Sequence, residues 1–219
     1  MRPDVIFFIN ENQYITMYTV EDGAYLIRLA RETIEKLLRE DGAISLPEEA
    51  PEKLKEKAGV FVTLQTYPEH ALRGCIGYPE PSLPLVEATV KAAVSAACED
   101  PRFPPLLEGE LENTLIEVTV LTPPELIEVA SPKDYAKSIE IGRDGLIIEK
   151  GWNRGLLLPQ VPVDQGWSRE EFLSYACMKA GLMSDCWLDE DTKVYKFKGV
   201  VFTEVEPGGD VKERSISTS

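Results

Sequence analysis

The sequence predicts an α+β fold, a mostly antiparallel sheet built from two hairpin, helix, strand units. Three observations carry that expectation. Short apolar runs with period-two alternation are separated by Pro- and Gly-bearing turns. One segment, Leu85 to Cys98, is so rich in Ala and Val that as a helix it must be largely buried. The order hairpin, helix, strand over residues 59–121 returns over 145–203, displaced by about 85 residues. Such a duplicated unit is expected to form one body with a shared sheet.

Residues 1–18 read as an N-terminal extension. Within it Val5 to Ile9 has the pattern of a short strand, Asn10 to Asn12 that of a turn, and Met17 is a second candidate for the natural start beside Met1. Thr19 and Asp22 stand as a capping box, Asp replacing the usual Glu or Gln. Leu26, Ile27, Ala30, Ile34, Leu37 and Leu38 then recur on one helical face until Asp41-Gly42. Ser45 to Glu56, with Pro47 and Pro51, is a connection holding one short turn.

Gly59 to Leu64 predicts a strand, Tyr67 to His70 its turn, and Leu72-Arg73-Gly74-Cys75-Ile76-Gly77 the returning strand. The buried helix follows. Asp100-Pro101-Arg102-Phe103-Pro104-Pro105-Leu106 is too stiff for anything but a shaped loop. In Leu115 to Leu121, Ile116, Val118 and Val120 share a face opposite Glu117 and Thr119. In the second half Gly145 to Ile148 is a strand, Lys150 to Arg154 a turn and Gly155 to Gln160 the returning strand. Ser168 to Ala180 is a helix opened by a Ser168/Glu171 capping box, and Lys196 to Thr203 a last strand. From residue 207 to 219 a flexible tail is expected.

Composition bounds the function. With 219 residues, 43% hydrophobic and 28% charged, the chain can bury a sizeable core without staples. A net charge of −15 disfavours nucleic-acid binding. No apolar run is long enough to span a bilayer and no secretory leader is visible, so a cytoplasmic protein is expected. Four cysteines without close pairing and a single histidine argue against a metal site; a disulfide remains open but is unusual in a reducing compartment. No cofactor is expected. The Glu and Lys content suits a thermophile.

The hexad holds the chemistry worth weighing. Period two puts Leu72 and Ile76 on one face and Arg73 and Cys75 on the other, while Gly74 and Gly77 leave room for a backbone or ligand to approach. Cys75 is either a small apolar filler or, beside a cation, a nucleophile. As a nucleophile it would serve a cytosolic enzyme or enzyme subunit modifying a small molecule, a protein or RNA, with Arg73 or Arg102 holding an anionic group and Asp100 or Gln160 orienting the substrate. The general base is missing, because His70 sits in the turn, and Asp100 qualifies only if burial raises its pKa. By the repeat, Cys75 and the Pro159-Gln160 step occupy equivalent places and are expected to line one cleft. The rival reading is a binding or scaffold module in which Cys75 is filler and Arg73 is tied to Asp100 or a carbonyl. Trp152 and Trp167 are expected to cover apolar surface, and Cys177 to be core.

The hexad, the Asp100–Leu106 loop, Leu158-Pro159-Gln160-Val161 with Trp167, and Lys179-Ala180-Gly181-Leu182 together resemble the AMMECR domain family, over roughly residues 19–206. The resemblance implies an α+β fold with a larger and a smaller lobe and a groove between them. It also implies association with a Memo-type protein and a radical S-adenosylmethionine protein. It implies no particular reaction.

Overall fold

The computed structural model describes residues 18–39, 46–47 and 49–214. The strand expected at Val5 to Ile9, its turn and the Asp41-Gly42 helix stop lie outside the described residues. Helix α1 spans Val20–Leu38 and opens on the predicted box: Thr19 Oγ1 accepts from the Asp22 N–H at 3.3 Å, and the Thr19 N–H donates to Asp22 Oδ2 at 2.8 Å. A 3-10 turn, Glu52–Lys55, then buries Leu54.

Two antiparallel sheets follow. The first has the order β2-β1-β3-β8-β9, with β1 Val60–Thr66, β2 Leu72–Tyr78, β3 Thr114–Leu121, β8 Gly199–Glu204 and β9 Val211–Arg214. The second has the order β4-β7-β5-β6, with β4 Glu125–Leu126, β5 Gly145–Lys150, β6 Asn153–Leu157 and β7 Lys193–Phe197. Helix α2 (Leu85–Cys98) follows the first hairpin, α3 (Glu108–Leu111) precedes β3, and α4 (Gln160–Gln165) and α5 (Arg169–Lys179) follow the second hairpin.

Alternation decides which faces are covered. Val60, Val62, Leu64, Ile116, Val118, Val120 and Phe202 are buried beneath α1 and α2. Gly23 lets α1 close on Phe202, since a Cβ there would lie 2.2 Å from the ring. A second core joins Phe172, Leu173 and Ala176 of α5 to Leu146, Ile148 and Val194. The helix-free faces of the sheets meet each other, where Leu121, Ile147 and Phe197 are buried with Phe61, Leu156 and Tyr195 against them. One charged pair is sunk at the end of β8 in the first sheet. Glu204, 3% exposed, accepts Arg31 Nε at 2.8 Å, Arg31 Nη2 at 2.5 Å and the Ile116 N–H at 2.8 Å. A buried carboxylate is tolerable when its lone pairs are filled in this way.

Four expectations are corrected here. The shared sheet is two sheets, although β2-β1-β3 and β6-β5-β7 have the same local order. The single last strand is broken into β7 and β8 at Lys198, whose N–H donates to Thr122 Oγ1 at 2.8 Å and whose carbonyl accepts the Thr122 N–H at 2.8 Å, so the chain changes sheets there. The tail from 207 is not free along its length: Gly208 turns the chain at φ 70° and Val211–Arg214 pairs with β8. The returning strand ends at Leu157, and Gln160 opens α4.

The remaining aromatic and cysteine expectations divide. Trp167 stacks on Tyr175 with centroids 3.9 Å apart, but Trp152 is fully exposed at the β5–β6 turn and covers nothing. Cys177 is core, as expected, and is also bonded to Cys186.

Candidate functional site

Strand β2 is an edge of the first sheet, and its register puts Cys75 opposite Thr63, which in turn faces Glu117 of β3 and, beyond it, Thr203 of β8. These four residues form one row across the helix-free face. Thr63 Oγ1 donates to Cys75 Sγ at 3.2 Å. The thiol thus faces away from the α1/α2 core, on the side that alternation predicts.

The stiff loop closes over the strand edge. The Cys75 N–H donates to Asp100 Oδ2 at 2.8 Å, and Arg102 Nη2 donates to the Cys75 carbonyl at 3.2 Å. Arg102 also grips Asp100, Nε to Oδ1 at 2.9 Å and Nη2 to Oδ2 at 2.7 Å. Arg73 lies further along the same edge. It pairs bidentately with Glu110 at 2.9 and 3.0 Å and donates to the Pro104 and Pro105 carbonyls at 3.0 and 3.3 Å. Phe103 sits between the two guanidiniums, 6.0 Å from Arg73 and 5.6 Å from Arg102.

The electrostatics follow from these contacts. Burial pushes the Cys75 thiol up from its ordinary value, with Asp100 and Glu117 adding to the rise and Thr63 and Arg102 opposing it. The Arg102 guanidinium holds the Asp100 carboxyl well below the carboxylate range. That direction removes Asp100 from the general-base role, which required a raised value. Arg73 likewise holds Glu110 down. Glu117 behaves oppositely: burial raises its carboxyl although Arg214 Nη2 lies 2.8 Å from it.

The glycines serve packing. A Cβ at Gly74 would lie 2.2 Å from the Ala96 carbonyl oxygen at the end of α2, and one at Gly77 would lie 2.2 Å from the Phe61 ring. On the side where a Cβ would stand, helix and ring already fill the space. Arg73, Gly74, Cys75, Asp100 and Arg102 are therefore brought together on one strand edge and its loop; Gln160 belongs to the second hairpin's helix. It is exposed at the start of α4, and no hydrogen bond among the described residues joins it to the other five. Glu110, Thr63, Glu117 and Arg214 were not singled out by sequence as site residues. Thr63 and Glu117 were recoverable from alternation, since both occupy the polar face of their strands. Among the described residues no cluster of His, Cys, Asp and Glu is placed to hold a metal ion.

A protein of two antiparallel sheets, with helices on their outer faces and a clamped edge-strand cysteine, is the class defined so far. The family model AMMECR1 matches residues 27–202, and the chain belongs to that family. It is 56% identical to a protein of Thermococcus onnurineus, covering 91% of this chain and 100% of the relative. It is 53% identical to protein MJ0810 of Methanocaldococcus jannaschii, covering 91% and 98%. Among solved structures, the crystal structure of protein PH0010 from Pyrococcus horikoshii is similar with a TM-score of 0.76 at 55% identity, covering 91% of this chain and 99% of that one. These relatives come from thermophilic archaea. No helix among the described residues is long and apolar enough to cross a membrane.

Proposed function

We propose that this chain is a non-catalytic binding module of the cytosol, its hexad a structural clamp, working with the Memo-type and radical S-adenosylmethionine proteins that the family resemblance implies. One observation carries the reading. Burial raises the pKa of the Cys75 thiol, and both outward backbone groups of its residue are already satisfied by Asp100 and Arg102. A nucleophile needs the reverse, a lowered pKa and a neighbouring base. The guanidiniums support the same reading, since Arg73 and Arg102 are spent on Glu110, Asp100 and carbonyls.

Alkylation of Cys75 by iodoacetamide, followed against pH in a Cys98→Ser background, tests this. The rate midpoint is expected at or above that of a free thiol, about 8.5. A midpoint below about 7 overturns the binding reading.

A second reading keeps Cys75 as a nucleophile, and Glu117 is the observation that favours it. It shares the cross-strand row with Cys75 and has a raised carboxyl pKa, and as the missing base it would act on the thiol through Thr63, which stands between them. On that reading Glu117→Gln slows alkylation of Cys75 at neutral pH; on the binding reading, where Glu117 only helps hold the thiol pKa up, the rate rises or stays the same.

A further inference from the structure

Where the helix-free faces of the two sheets part, they leave a cleft of about 150 Å³. A cavity of that size takes about one benzene ring. Ile147, Leu156 and Phe197 of the second sheet form its apolar side, and Pro79 and Pro123 from the connections of the first sheet face them. The prolines offer no N–H, so polar recognition falls to side chains.

Four polar side chains line it, and with Thr122 Oγ1 accepting the Lys198 N–H three remain. Tyr18 lines the cleft, is only 3% exposed, and its hydroxyl has no hydrogen-bond partner among the described residues. No fully buried side-chain oxygen among the described residues lacks a partner, so this hydroxyl is the part of Tyr18 that opens to the cleft. Glu56 and Lys57 also line the cleft; both are exposed, and neither forms an ion pair among the described residues. The site therefore offers an apolar slot for one ring, an unfilled hydroxyl, and a cation and an anion on consecutive residues.

We propose that this cleft binds a free amino acid with an apolar side chain. The side chain enters the slot, the carboxylate is held by Lys57 and the Tyr18 hydroxyl, and the ammonium by Glu56. A ligand with a lone negative charge meets repulsion from Glu56, and one with a lone positive charge meets it from Lys57. Only a zwitterionic head satisfies both. The site is separate from Cys75, so the proposal stands or falls independently of the thiol.

Calorimetric titration of the full chain with L-phenylalanine and L-leucine tests it, with 3-phenylpropionate and phenethylamine as analogues lacking one charge. At least one amino acid is expected to bind, and each single-charge analogue to bind about tenfold more weakly or worse than L-phenylalanine. Tyr18→Phe and Lys57→Gln, both conservative, are expected to weaken binding severalfold without shifting the melting temperature of the ligand-free protein. Leu156→Trp fills the slot and should abolish binding in a chain that still melts cooperatively. The proposal is overturned if neither amino acid binds at about 10 mM, if the analogues bind as well as L-phenylalanine, or if Tyr18→Phe and Lys57→Gln both leave affinity unchanged.

Discussion

The carboxylate of Asp100 accepts the outward backbone N–H of Cys75 at 2.8 Å, in the place where a neighbouring strand's carbonyl would stand. Arg102, held by the same carboxylate, returns a donor to the Cys75 carbonyl. An aspartate and an arginine two residues apart thus complete one residue's worth of a missing strand. Capping an edge in this way satisfies its backbone and hides it from other chains.

Removing the carboxylate should therefore loosen the edge. Asp100→Ala leaves the Cys75 N–H unpaired and is expected to cost about 1–3 kcal/mol, read as a lower urea midpoint. The pH dependence has a definite sign. Because the Asp100 pKa is depressed in the folded state, its stabilisation is present above the ordinary carboxyl value near pH 4 and is lost as pH falls through the lower folded value. Asp100→Asn should lose less stability than the parent between about pH 4 and pH 2, and equal loss in both proteins would refute the clamp.

Gly74 and Gly77 both exclude a Cβ, but for different reasons. At Gly74 the obstacle is the Ala96 carbonyl, which belongs to α2 and cannot turn aside; at Gly77 it is the Phe61 ring. Gly74→Ala should destabilise by about 1–3 kcal/mol or more, with no single side-chain change relieving it. Gly77→Ala should be partly rescued by Phe61→Leu, giving a non-additive double-mutant cycle in chemical denaturation. Additive effects at residues 61 and 77 would contradict the packing account.

Glu117 yields a prediction of opposite slope to Asp100. Burial raises its carboxyl in the folded state, so the folded chain holds a proton that the unfolded chain has released. Its contribution to stability is therefore full below the ordinary glutamate value, about 4.3, and falls as pH rises through the folded value. Glu117→Gln keeps the shape and abolishes the titration. Urea midpoints of the two proteins should converge near pH 4 and separate in favour of the variant at neutral pH; a variant weaker than the parent at neutral pH would mean that the Arg214 pair outweighs burial.

What the chain discloses in advance follows the range of the physics involved. Period two places Cys75 on the face opposite Ile76 because alternation is local, and the Thr19 and Ser168 boxes are legible because a cap spans only four residues. Leu158-Pro159-Gln160-Val161-Pro162 misleads because proline is compatible both with a strand end and with the first turn of a helix; here Pro159 adopts helical angles and α4 begins. Lys193 to Glu204 is nearly continuous in strand character, so only tertiary pairing at Thr122 reveals the change of sheet at Lys198. The partner of Arg73 lies 37 residues away at Glu110, and no local pattern selects it over the other acids of an acidic chain. Asp100 and Arg102 are legible as candidate site residues, but their mutual neutralisation, which changes what they can do, is set by how the loop folds.

The bond between Cys177 and Cys186 ties α5 to the 3-10 turn Cys186–Leu188 and closes a short loop, the linked residues standing nine positions apart. A disulfide is uncommon in a reducing compartment, yet intracellular proteins of hyperthermophiles are rich in them, and the relatives of this chain are from thermophilic archaea. In the chain-entropy account a loop of this length contributes about 2–3 kcal/mol by restricting the unfolded chain. Reduction should thus lower the melting temperature by about 5–10 °C for a domain of this size, and Cys177→Ala/Cys186→Ala should show the lower value with or without reductant. Thiol counting gives the independent check. Of the four cysteines only Cys75 and Cys98 are free, so the denatured, unreduced protein should titrate two thiols and the reduced protein four. Four thiols before reduction, or a melting temperature indifferent to reductant, would show that the second core stands without the cross-link.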